Sequence, residues 1–125
     1  MQQSYYFYLF LAKITENDAE KFRQYALGDG KDNPLFFSEL QITDFSLQNY
    51  GIEVLSPDFQ YDFLLSELLK FTLLQKEDLP LVEKICTEKG ISPNVYIILY
   101  KKDLQLPENV LLSYPDLHYV GKYEM

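Results

Sequence analysis

The chain has 125 residues, of which 47% are hydrophobic, with eleven Tyr, nine Phe and no Trp. That is enough apolar side chain for one core and too much for a disordered segment. Nineteen acids against eleven bases give a net charge of −8, which disfavours nucleic acid and anionic membranes as direct partners. A single cysteine, Cys86, excludes an internal disulfide framework.

The run Tyr5 to Ala12, YYFYLFLA, is apolar or aromatic throughout. Met1 to Ser4 carry no Lys or Arg, and no A-x-A cleavage site follows, so the run does not read as an export signal. It is also far too short to cross about 30 Å of hydrocarbon as a helix. Tyr and Phe suit a pleated surface, and apolar residues fall on both faces, so a central strand covered on both sides is expected. Lack of an export signal and the unpaired cysteine together predict a cytoplasmic protein.

A helix is expected over Glu16 to Leu27. Thr15 and Asp18 have capping-box spacing, Ala19, Phe22 and Ala26 make an apolar stripe, and Gly28 is placed as an αL stop. GDGKDNP then reads as a loop ending at Pro34. In LFFSELQITDFSLQNYGIEVL, Leu40 and Ile42 alternate with Glu39 and Gln41, and Phe45 and Leu47 with Ser46 and Gln48. The phase slips at Thr43-Asp44, and IEVL follows Tyr50-Gly51, so two or three antiparallel strands are expected here. SPDFQYDFLLSELLKFTLLQ carries both periods, and is read as strand early and helix later. A helix from Leu79 to Lys89 should bury Leu81, Val82, Ile85 and Cys86 and stop at Gly90 and Pro93. Val95 to Tyr100 is a second dense strand, and the tail reads as a loop around Pro107 with two short strand-like pieces. Helices this few and unevenly spaced do not make a parallel βαβ ladder. The expected fold is α+β, a single domain over residues 1–125, with a mainly antiparallel sheet and two or three helices.

Catalytic motifs are missing. His118 is the lone histidine and reads as a partly exposed packing residue, while Cys86 lies on an apolar stripe and reads as a small buried hydrophobe. One Cys and one His cannot supply a zinc site without acids. Asp29, Asp32 and Asn33 lack EF-hand spacing, and Gly28-Asp29-Gly30 is no Walker loop, so neither a calcium nor a phosphate site is expected. Acid pairs such as Asp58 with Asp62, or Asp62 with Glu67, arise readily by chance among nineteen acids. No metal or cofactor is therefore expected.

Charge placement is the stronger signal. Between Asp32 and Leu69 there is no Lys or Arg, while Asp32, Glu39, Asp44, Glu53, Asp58, Asp62 and Glu67 are present. This stretch carries −7 of the −8. A field of one sign speeds capture of an oppositely charged protein by about one to three orders of magnitude. The expected partner is a basic protein, held by Glu39, Asp44, Glu53, Asp58 and Asp62, with Tyr50 and Tyr61 as aromatic anchors among the acids. Direct nucleic-acid or membrane binding is not expected, and the chain should be a monomer or weak dimer.

In size, acidity, α+β organisation, want of an export signal and want of catalytic residues, the whole chain resembles bacterial immunity proteins of contact-dependent growth inhibition and related polymorphic toxin systems. The resemblance implies a cytoplasmic, non-catalytic protein that binds and blocks a cognate toxin domain, of the basic nuclease type. Some members of these families look like the Whirly domain of single-strand DNA binders, although the acidity here opposes nucleic-acid binding on such a fold. Binding residues vary between members, so none carries over. Two alternatives remain open from sequence: a small hydrolase or isomerase with an acid pair, and a nucleic-acid-mimicking inhibitor or regulatory module.

Overall fold

The computed structural model describes residues 6–28, 34–42, 51–55, 65, 69, 72, 74–100, 104–107 and 110–124. Strand β1, Tyr6–Ala12, lies inside a four-stranded sheet. Its neighbours are β3, Val95–Tyr100, on one side and β4, Leu117–Glu124, on the other; β2, Gly51–Leu55, pairs with the far side of β3. The order is β2-β3-β1-β4, with antiparallel pairing between all neighbours. The apolar run, from Tyr6 to Ala12, thus forms an interior strand, and its residues from Phe7 to Ala12 are buried.

Alternation along β1 divides the interior in two. Tyr8, Phe10 and Ala12 face one layer, built from helix α1, Ala19–Leu27, and helix α2, Leu35–Glu39. Phe7, Leu9 and Leu11 face the other, where helix α3, Leu79–Lys89, supplies Val82 and Cys86. Helices therefore cover both faces, which explains why β1 and β3 are apolar without alternation. Phe10 and Phe36 meet edge to face at 5.0 Å, and both are fully buried. Full burial of each such side chain contributes about 1.5–3 kcal/mol.

Beyond the end of β1, Asn94 substitutes for a further strand pairing. Its Oδ1 accepts from the Ile14 amide at 2.8 Å, and its Nδ2 donates to the Ile14 carbonyl at 2.7 Å. The Asn94 amide donates to the Ala12 carbonyl at 3.0 Å. Among the described residues, Asn94 is the buried polar residue of the core, at 0% exposure. A buried amide of this kind is tolerated only when its hydrogen bonds are made.

The two helices expected at Glu16 to Leu27 and Leu79 to Lys89 are present, the first opening as a 3-10 turn over Glu16–Asp18. Thr15 and Asp18 hydrogen-bond each other through their side chains at 2.9 Å, and neither caps the backbone with its side chain. Gly90 adopts the αL stop, whereas Gly28 leaves α1 with positive φ but extended ψ. Leu81 is exposed at 53% rather than buried, because Val82 and Cys86 already point at the sheet and Leu81 lies about 100° round the helix from Val82.

Two further expectations fail. The alternation from Glu39 to Ile42 is not a strand: Leu35–Glu39 is helical, Leu40-Gln41 turn, and Gln41 takes φ 63°. Adjacent Phe36 and Phe37, with Leu40, all reach the core from this one helical turn. An extended chain would send Phe36 and Phe37 to opposite faces. In the tail, β4 is one eight-residue strand, while Val110 to Ser113 form a loop. Val110, Leu112 and Tyr114 pack against the α1–α2 layer without forming a strand. The strands read over 43–50 and the strand-then-helix read over 56–75 lie almost wholly outside the described residues; IEVL is β2.

Candidate functional site

The acidic stretch passes through β2, which among the described residues is the edge strand at one side of the sheet. Glu53 sits in β2 opposite Ile98. Glu39 ends α2 on the layer over one face of the sheet. Asp44, Tyr50, Asp58, Tyr61 and Asp62 lie outside the described residues, as do Asp29, Asp32 and Asn33. Of the seven residues picked as partner-binding, two therefore have a described position, one on an edge strand and one at a helix end.

Glu39 also has an internal task. One carboxylate oxygen accepts from the Tyr25 hydroxyl of α1 and from the Ser113 amide, the latter at 3.0 Å. Tyr114, next in the chain, packs its ring at a tilt 5.1 Å from Tyr25 and edge to face 5.5 Å from Phe22. Partial burial pushes the Glu39 carboxyl up, but the hydrogen bonds from Ser113 and Tyr25 outweigh it and hold its pKa below the usual carboxylate range. Burial, followed by the neighbouring Glu39 carboxylate, pushes Tyr25 well above the ordinary phenol value. Glu39 thus stays ionised at neutral pH while tying α1, α2 and the 110–114 loop together.

At the opposite edge of the sheet, the start of β4 borders a groove of about 560 Å³ lined by Lys89, Val110, Leu111, Leu112, Leu117, His118 and Tyr119. A smaller cavity of about 190 Å³ shares His118 and adds Lys13, Ser92 and Asp116. A serine, a histidine and an aspartate thus border one space, yet among the described residues no hydrogen bond joins Ser92 to His118 or His118 to Asp116. His118 is half-buried on β4 opposite Leu11, in keeping with a packing residue. Cys86 is buried, and desolvation, then the Glu83 charge, pushes its thiol up and away from the reactive thiolate.

Among the described residues, no three His, Cys, Asp or Glu side chains gather closely enough to hold a metal ion. No helix among them is long and apolar enough to cross a membrane. No known protein family matches the chain, and neither the curated proteins nor the solved structures contain a match to it.

Sequence reasoning missed the β4 groove. Its lining comes from Lys89, residues 110–112 and the start of β4, which join only when the end of α3 and the 110–112 loop meet at the edge of β4. One signal was available: in NVLLSYPDL, Leu111 and Leu112 are adjacent, so if one is buried the other faces out. Leu111 is 79% exposed.

Proposed function

We propose that this chain is a non-catalytic binding protein that captures a basic protein partner, and that the partner is a cognate toxin domain of the nuclease type, neutralised in the cytoplasm. The observation that carries this reading is the block of seven carboxylates without a single Lys or Arg between Asp32 and Leu69. Such a block repels itself, and an oppositely charged surface relieves that repulsion. The passage of the block through β2, an edge strand among the described residues, supports the reading, because an edge strand can pair with a partner where an interior strand cannot. Glu39, Asp44, Glu53, Asp58 and Asp62 supply the field in this proposal, and Tyr50 and Tyr61 the anchoring contacts.

Co-purification of tagged protein from its native host, followed by mass spectrometry, tests the proposal. The expected result is one predominant basic protein, lost when Asp44, Glu53, Asp58 and Asp62 are replaced together by their amides. Retention of the same partner by that variant, or recovery of a neutral one, overturns it.

A further inference from the structure

The groove beside β4 is built across the edge of the sheet. Lys89 ends α3, which packs on one face, whereas Val110 and Leu112 pack on the other. Leu117, His118 and Tyr119 belong to β4 itself. A groove whose walls come from both layers and whose remaining lining is the outermost strand has that strand's edge as its floor. Among the described residues no further strand pairs with β4 on this side.

The two halves of β4 differ. At its far half the register shifts between Leu9 and Phe10 of β1, leaving Val120 as an extra residue, and Gly121 follows with φ 134°. Lys122 lies there with its ammonium 4.5 Å from the centre of the Tyr6 ring. A bulge and a lysine are devices that discourage edge-to-edge pairing. The near half, Leu117 to Tyr119, has neither, and it is this half that the groove exposes. An extended residue in a sheet fills roughly 3.3 Å of rise, 4.8 Å of strand spacing and 10 Å of layer depth, about 160 Å³. A groove of about 560 Å³ therefore holds three to four such residues.

The lining also says which residues. Leu111 is exposed and Val110, Leu112 and Tyr119 are partly exposed, so the groove offers apolar side chains beside polar groups. Among the described residues that line the groove, Lys89 is the one full charge, and no Asp or Glu lines it. In a protein of net charge −8, the described lining of this groove has the opposite sign.

We propose that the edge of β4 from Leu117 to Tyr119 is a docking site for an extended, alternately apolar and acidic peptide segment of a protein partner, which adds to the sheet as a fifth strand. Backbone hydrogen bonds to the edge supply affinity, Val110, Leu111 and Leu112 take the apolar side chains, and the acidic side chains lie against Lys89. This site is separate from the acidic stretch, which runs through the other edge of the sheet, and it stands whether or not the capture of a basic partner holds.

Two labelled hexapeptides, alternating Val-Glu and alternating Val-Lys, test the proposal on the full chain by fluorescence anisotropy and amide hydrogen exchange. The acidic probe should bind saturably at or below about 1 mM, slow exchange at amides of residues 117–119, and bind about tenfold more weakly to Lys89→Glu. The exposed position of Lys89 leaves the fold of that variant intact, which its unchanged exchange at β1 and β3 would verify. Absence of saturable binding, equal binding of the basic probe, protection confined to other strands, or unchanged affinity for Lys89→Glu would each overturn it.

Discussion

Replacing Asn94 by Ala removes both side-chain hydrogen bonds to Ile14 at a site with 0% exposure. Ile14 is itself 2% exposed, so water cannot easily replace the lost partners of its amide and carbonyl. An unsatisfied buried group costs about 1–3 kcal/mol, and partial relaxation makes the two less than additive, so the loss should be about 2–4 kcal/mol. For a domain with about 5–15 kcal/mol in total, that is a large fraction. Urea unfolding followed by circular dichroism measures it directly: the midpoint should fall while the denaturant slope stays constant. Asn94→Asp keeps the acceptor for the Ile14 amide but sets a carboxylate against the Ile14 carbonyl, and should be worse still at neutral pH. A loss under about 0.5 kcal/mol for Asn94→Ala, the range of an ordinary surface change, would refute the claim that this side chain continues the sheet.

The Glu39 staple should yield to a double-mutant cycle: Glu39→Gln and Tyr25→Phe each cost about 1–2 kcal/mol, since the carboxylate is half-exposed, and together less than their sum. Because its folded pKa is depressed, the Glu39 contribution is present above the unfolded carboxylate value of about 4.3 and is lost as pH falls below it. Acid unfolding of wild type but not Glu39→Gln should show this component, and identical acid profiles would count against it. Burial first, then the neighbouring Tyr8, raises Tyr119 to about 12, and burial followed by Asp78, Tyr119 and Cys86 raises Tyr123 to about 12. Both pKa values are raised, so their stabilisation is complete below about 10 and disappears as pH climbs towards 12; phenolate absorbance should show a late-titrating group that Tyr123→Phe reduces. Gly121 has φ 134°, and an added Cβ would lie 2.7 Å from the Tyr123 hydroxyl, which itself donates to the Val120 carbonyl at 2.6 Å. Gly121→Ala should therefore lower stability by about 1–3 kcal/mol, and an unchanged melting temperature would argue against the tight β4 bulge.

The parts of the fold with a strong local signal were readable in the sequence. β1 and β3 are dense runs of Tyr, Phe, Ile and Leu with no helical period, and α1 and α3 have stripes and glycine stops. The Leu35–Glu39 segment was misread because two-residue alternation at Glu39 to Ile42 is too short to separate a strand from the end of a helix. What decides it is tertiary: Phe36, Phe37 and Leu40 must all reach the α1 side of the sheet. Leu81 was misassigned for a related reason, since a stripe of Leu81, Val82, Ile85 and Cys86 is broader than the surface that β1 and β4 offer α3. The role of Glu39 as acceptor for Ser113, 74 residues away, leaves no trace in local pattern. The acids could be counted from sequence, but their arrangement in space depends on how residues flanking β2 are laid down, which periodicity does not encode.

The central claim is that a one-signed stretch of carboxylates draws in a basic partner. Stopped-flow association with the partner recovered from the host measures this most directly. The account predicts that the on-rate falls by about tenfold or more as ionic strength rises from about 0.05 to 0.5 M, while the off-rate changes little. An on-rate indifferent to salt would contradict it.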